Sequence, residues 1–241
     1  MIHIDARDLD FCTLNERIRA AKEDCRITNC LGQRFLAAGA RSGTYTIEGV
    51  PGNALGAYLN GAVIRVLGNA QDAVGDTMND GYIVIDGNIG DAAGYAMRGG
   101  RIYVKGNAGY RAGIHMKEYQ KKVPVMIIGG KAGSFLGEYQ AGGKIIVLGL
   151  YGDAERPIVS SFPCTGMHGG KMYLRSDCRG IEFPDRVRTA PATQEDLNEI
   201  RELIAEYCTC FGYATEQVLD APFTVVTPDT KNPYKQMYVT N

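Results

Sequence analysis

From about residue 44 onward, apolar and polar positions alternate with period two in short runs, each of which ends at a glycine. Counting back two and four residues from that glycine gives the pairs Tyr45/Ile47, Ile64/Val66, Ile83/Ile85, Ile102/Val104, Met126/Ile128 and Ile145/Val147. The intervening positions hold Thr46, Glu48, Arg65, Asp86, Arg101 and Lys105. Alternation of this kind in β-branched runs predicts strands with one buried face, so the pairs are expected to point inward and the charged positions outward. A second column, Leu59, Met78, Met97, Met116, Gln140 and Met167, follows the last glycine of each unit. Stacked core side chains explain it better than a cofactor site, because methionine fills irregular apolar gaps.

The glycines set the period. Gly49, Gly68, Gly87 and Gly106 stand 19 residues apart, Gly56, Gly75, Gly94 and Gly113 repeat the interval, and Gly130 and Gly149 resume it. Within a unit the full pattern is G-x-x-G-x-x-x-G, in Gly87/Gly90/Gly94, Gly106/Gly109/Gly113 and Gly130/Gly133/Gly137, with partial copies in Gly52/Gly56, Gly68/Gly75 and Gly149/Gly152. A fixed period of this size is the signature of a solenoid whose units bury their apolar faces against their neighbours. The expected fold is all-β: a right-handed parallel β-helix of about six to seven coils, roughly 29 Å long at a strand spacing of about 4.8 Å. The glycines are expected at corners, where the chain turns with positive φ or passes close to the next coil.

An open β-helix exposes two sheet edges, and short helices are expected to cap them. Thr13 and Glu16 read as a capping box opening a helix to about Glu23. Thr193 and Asp196 resemble another, followed by Leu197, Ile200, Leu203, Ile204 and Tyr207 on one helical face and Gly212 as the stop. The organisation expected is an N-terminal cap over 1–43, the glycine-repeat β-helix over 44–176, and a C-terminal helix with an aperiodic tail over 177–241.

Composition narrows the function. With 26 Lys+Arg against 27 Asp+Glu and no basic run, the phosphate-neutralising footprint of a nucleic-acid binder is missing. No stretch approaches the roughly 18 apolar residues of a membrane span or the apolar run of a signal peptide, so a cytoplasmic location is expected. The 7 cysteines include no C-x-x-C pair, which argues for reduced structural thiols. No two glycines are separated by a single residue, so the G-x-G-x-x-G dinucleotide loop cannot be present. The nucleotide-phosphate loop, the serine nucleophile elbow and the zinc-binding helix motif are missing too. His115 and His168 lie on corners too far apart to share a metal, Cys30 has no histidine near it in sequence, and the Cys208/Cys210 pair is a weak redox signal. No catalytic, cofactor-binding or metal-binding residue is therefore assigned.

Two insertions break the period, one including 115–122 and one including 156–164. Insertions in a solenoid tend to emerge on one face, and His115, Lys117, Tyr119, Lys121, Arg156 and Phe162 are the residues expected on a partner face. A polysaccharide-acting enzyme would need a carboxylate cluster along a groove, which the outward columns do not present.

The repeat resembles the C-terminal GXGXG domain of the glutamate synthase large subunit. The likeness runs through Gly32-Gln33-Arg34-Phe35, the segments around Gly52/Gly56, Asn69/Asp72 and Gly109/Gly113, and Gly142 through Gly149. It implies a stand-alone β-helix without an active site, set between a glutaminase (amidotransferase) subunit and a synthase subunit that carries FMN and an iron–sulfur cluster and draws on NAD(P)H. It further implies the reductive transfer of glutamine's amide nitrogen to 2-oxoglutarate by the assembly. A similar motif occurs in the glycine-repeat subunit of formylmethanofuran dehydrogenase, a tungsten or molybdenum enzyme, which is the alternative. The C-terminal helix and tail depart from the glutamate synthase pattern.

Overall fold

The computed structural model describes residues 1–21, 24–151 and 156–229. Nine strands pair in parallel, each with the next along the chain: β1 (Ile2–Asp5), β2 (Cys25–Leu31), β3 (Thr44–Val50), β4 (Asn60–Leu67), β5 (Asp80–Ile85), β6 (Arg101–Val104), β7 (Val125–Ile128), β8 (Ala141–Val147) and β9 (Gly169–Leu174). The result is a parallel β-solenoid of about eight turns, slightly longer than the glycine count alone suggests. The sheet reaches back past residue 43, because Ile4 pairs with Ile27 and Ile27 with Ile47.

Register confirms the inward columns. Ile47, Val66, Ile85, Val104, Ile128, Val147 and Leu174 are successive partners, and all are fully buried. The second column, from Leu59 to Met167, is buried along its whole length. Gln140, its one polar member, donates from Nε2 to Gly142 O and Gly143 O, 3.2 Å each.

The termini close the solenoid differently from expectation. Helix α1 (Phe11–Ala21) is capped three residues before the expected position, because Asp10 accepts from Thr13 N at 2.8 Å. Aspartate satisfies the free N–H groups of a first turn well, and Thr13 therefore lies inside the helix. The expected end of this helix at Glu23 lies outside the described residues. Leu14, Asn15 and Ile18 plug the N-terminal end of the core.

At the other end, α2 (Gln194–Phe211) has the expected Thr193 capping box and the left-handed Gly212 stop. It does not cover the sheet edge, however. Its buried residues pack on the outer face of the strands, against Val84, Tyr103, Ile127, Ile146 and Tyr173. The edge is instead extended by two antiparallel strands, β11 (Thr224–Pro228) beside β9 and β10 (Val187–Pro191) outside it, with α3 (Thr215–Leu219) in the connection. The tail expected to be aperiodic thus supplies a strand, in which Val226 continues the inward column by pairing with Met172.

Candidate functional site

The glycine columns are packing devices of two kinds, and not every member turns a corner. At Gly113 the backbone is left-handed (φ 70°), and a Cβ would collide with Ile145 Cδ1 of the core. Gly137 makes the same left-handed turn (φ 65°) and, like Gly113, is buried. A Cβ there would meet Met172 Cε at 2.8 Å, the free end of a flexible side chain, so the turn rather than the contact requires glycine at Gly137. Gly87 has no positive φ; a Cβ there would strike Asn69 Oδ1 and the Gly68 carbonyl of the preceding coil. Gly90 likewise makes no left-handed turn and is of the second expected kind, a close pass of a neighbouring coil. It is small because Asp72 Oδ1 and the backbone of Gln71 and Asp72, one coil earlier, occupy the space a Cβ would need. Gly152 falls outside the described residues.

Between coils, side chains substitute for missing backbone partners: Asn69, Asn88 and Asn107 each accept from a backbone N–H of the following coil at 2.7–2.8 Å. Asp72 and Asp91 do the same for Asp91 N and Tyr110 N. These ladders hold the coils in register by giving backbone N–H groups a partner on the neighbouring coil. The close approach at Gly90 belongs to them, since the Asp72 carboxylate that crowds it is the one that accepts from Asp91 N.

The cysteines considered for chemistry are poorly placed for it. Cys30 is buried, and burial pushes its thiol up to about 11, away from the thiolate that a nucleophile needs. Cys208 is buried under α2 and also raised by burial.

The two insertions leave the solenoid at opposite ends of the strands rather than on one face. The first lies between Met116 and the start of β7, where Tyr119 and Lys122 close a small hairpin. Lys122 Nζ reaches Asp80 Oδ2 at 2.8 Å, folding the hairpin back over earlier coils. The second lies after β8, between Gly149 and Val159, and parallel strands put their starts and ends on opposite edges of a sheet. Of the six residues expected on one face, Lys117, Tyr119 and Lys121 go with the hairpin, Arg156 with the second loop, and His115 and Phe162 with the turns opposite the sheet.

A cleft accompanies each corner. One, of about 570 Å³, is lined by Asn107, Lys131, Arg156, Phe162 and Glu182 among others. The other, of about 650 Å³, lies at the hairpin, with Lys117, Lys144, His168, Lys171 and Glu199 in its wall. Burial alone would raise the Glu199 carboxyl, but hydrogen bonds from Lys171 and Lys144 outweigh it and hold the group at about 2. A carboxyl lowered in the fold stabilises it above the unfolded value and loses that contribution as pH falls through the folded value. Wild type should therefore lose stability between about pH 4.5 and 2, and Glu199→Gln should flatten that part of its melting-temperature profile. An unchanged profile would show that Glu199 carries no such linkage.

Sequence reasoning overlooked two ring ladders on the turn side. Tyr110, Phe135 and Phe162 follow one another at 5.2 and 5.1 Å between centroids, and His115 stands between Tyr95 (5.9 Å) and Tyr139 (5.1 Å, stacked). Their signal is the same period, read at the residues flanking the third glycine of each unit. His168 lies at a different corner, its Nδ1 3.0 Å from Gly166 O.

The pattern of the GXGXG motif family matches residues 15–229, from the first helix to the last strand. The chain belongs to the GXGXG motif family. It is also 42% identical to a protein of Methanocaldococcus jannaschii called uncharacterized protein MJ1350, over 98% of this chain and 95% of that one. In this member of the family the motif takes the form G-x-x-G-x-x-x-G, and the three glycines are set by coil-to-coil contact and a left-handed turn. Among the described residues no helix is long and apolar enough to cross a membrane.

Proposed function

We propose that this GXGXG chain is a non-catalytic scaffold subunit of a glutamate-synthase-like complex, in which glutamine's amide nitrogen is transferred reductively to 2-oxoglutarate. The family match over residues 15–229 is the observation that carries this reading. The glutaminase would reside on one partner, and FMN, an iron–sulfur cluster and the NAD(P)H-derived electrons on another. A rod of stacked coils is stiff, because each unit is packed against two neighbours, and passing ammonia between sites depends on fixed alignment. The opposite placement of the two insertions suits this role: the hairpin at 117–122 would dock one partner and the loop at 156–164 the other.

Trimming both insertions to the 19-residue period tests the reading. The trimmed chain should melt within a few degrees of wild type when the cut spares Val159 and Cys164, the members of 156–164 that are buried in the core, yet fail to co-purify with glutaminase and FMN-containing subunits. Glutamine-dependent glutamate formation should fall more than ammonia-dependent formation. Full assembly with full glutamine-dependent activity would refute docking through these loops, and wild-type chain that never associates with such subunits would refute the complex itself.

A further inference from the structure

On the side where the strands begin, the residue after each member of the second inward column forms a rim: Asn60, Asn79, Arg98, Lys117, Ala141 and His168. Lys117 N donates to Met97 O at 3.0 Å, which seats Lys117 on the coil directly after Arg98. The inserted hairpin lies over the same stretch, because Lys122 Cβ is 3.1 Å from the place a Cβ would take on Gly99. Arg98, Lys117 and Lys121 are thereby gathered at one corner, and all three residues are exposed. Among the described residues none of their side chains has a hydrogen-bonding or ionic partner.

The acids of the corner are engaged elsewhere. Asp80 accepts from Lys122 Nζ at 2.8 Å. Glu118 is folded down onto Gly142 and Gly143: its Oε1 accepts from Gly143 N at 2.9 Å, and a Cβ on Gly142 would meet Glu118 Cγ at 2.8 Å. Towards the turn side Asp76 takes the Thr77 hydroxyl at 2.7 Å, and Glu138 is bound by Arg111 Nε at 2.8 Å. Farther along the cleft Lys144 and Lys171 share Glu199, with Asp196 beside Lys171. At the corner itself Arg98, Lys117, Lys121 and Lys122 thus stand against Asp80 and Glu118 alone, a positive excess.

The contacts that engage the acids also fix the hairpin, whose Tyr119 and Lys122 exchange backbone hydrogen bonds of 3.1 and 3.0 Å. Lys117 and Lys121 are therefore held in place before a partner arrives, which lowers the ordering cost of binding. Tyr119 beside them is 53% exposed, and tyrosine and arginine are the usual anchors of protein contacts. A nucleic-acid strand would call for a longer cationic stripe, since its affinity grows with the number of phosphates neutralised. Here the rim runs back to Asn79 and on to Ala141, both uncharged.

We propose that this corner binds an acidic segment of a partner protein, with carboxylates at Arg98, Lys117 and Lys121 and an apolar contact on Tyr119. The proposal names the chemistry of the hairpin's partner, and it rests on the scaffold reading only for that partner being an enzyme subunit. A fluorescently labelled oligo-glutamate peptide, titrated with the full chain and followed by anisotropy, tests it. Wild type should bind the peptide, and more weakly as salt rises. Lys117→Glu/Lys121→Glu should weaken binding by about tenfold. Arg17→Glu/Arg19→Glu, on exposed positions of α1, changes the net charge equally and should weaken it by about twofold at most. Both variants should stay folded, since all four residues are exposed. No binding by wild type overturns the proposal, as do equal losses in the two variants or a single-stranded oligodeoxythymidylate of equal charge bound as tightly as the peptide. A chain that binds the peptide through Lys117 and Lys121 but never associates with glutaminase or FMN-containing subunits upholds the acidic partner and refutes the scaffold reading.

Discussion

Ile85→Asp should unfold the middle of the solenoid. Ile85 is fully buried, and its register partners Val66 and Val104 are fully buried above and below it. A carboxylate there has no cation within the apolar column, and an unpaired buried charge costs on the order of 4 kcal/mol or more, beyond the lost transfer energy of the isoleucine. Against a total stability of about 5–15 kcal/mol for a domain, that is a large share. Each coil is held only by its neighbours, so the damage should spread to both sides of β5. Asp86→Ala, one residue on, removes an ion pair with Arg65 at 3.0 Å on the outside and should cost about 1 kcal/mol or less. Urea denaturation of the two variants measures the difference. Equal losses would mean that the inward column is not the core.

The contrast between Ile85 and Asp86 also shows what could be read from residues alone. The inward columns were legible because two periods coincide in them: alternation along each strand and recurrence every 19 residues. The first two strands were not, since Ile4 and Ile27 occupy inward positions without the glycine pattern that marks later coils, and the pairing of β2 with β3 is irregular between Ile27 and Cys30. The strand at 224–228 was hidden for another reason. Its short β-branched run pairs with Met172 to Leu174, about 50 residues away and in the opposite sense, and no periodicity announces such a pairing. The insertion corners were only half legible: the period shows that residues are inserted, but which end of a strand they leave from depends on where the insertion falls between columns. Outward positions were judged from their charged members, Arg65, Asp86 and Arg101. Val84, Tyr103, Ile127, Ile146 and Tyr173 stand in one outward column with Arg65, and that column called for a cover.

Tyr207→Ala should detach that cover. The Tyr207 ring is fully buried between α2 and the sheet, with Tyr103 at 6.1 Å, Phe211 at 4.8 Å and Tyr213 stacked at 6.2 Å. Its hydroxyl donates to the Val104 carbonyl at 3.3 Å, so the side chain fills a cavity and satisfies its polar tip at once. Truncating a buried aromatic to alanine costs about 3–5 kcal/mol, and here the loss falls on the joint between helix and sheet. Beside it, Glu206 is held by Arg101 and by Tyr103 Oη at 2.9 Å, but an ion pair this open to water contributes little and should not hold α2 in place alone. The variant should melt well below wild type and bind a hydrophobic dye through Tyr103, Ile127 and Ile146. Leu197→Ala, on the half-buried first turns of the same helix, should lose much less. If Tyr207→Ala melts like wild type and binds no dye, the outward column is not held down by α2, and its apolar residues need another cover.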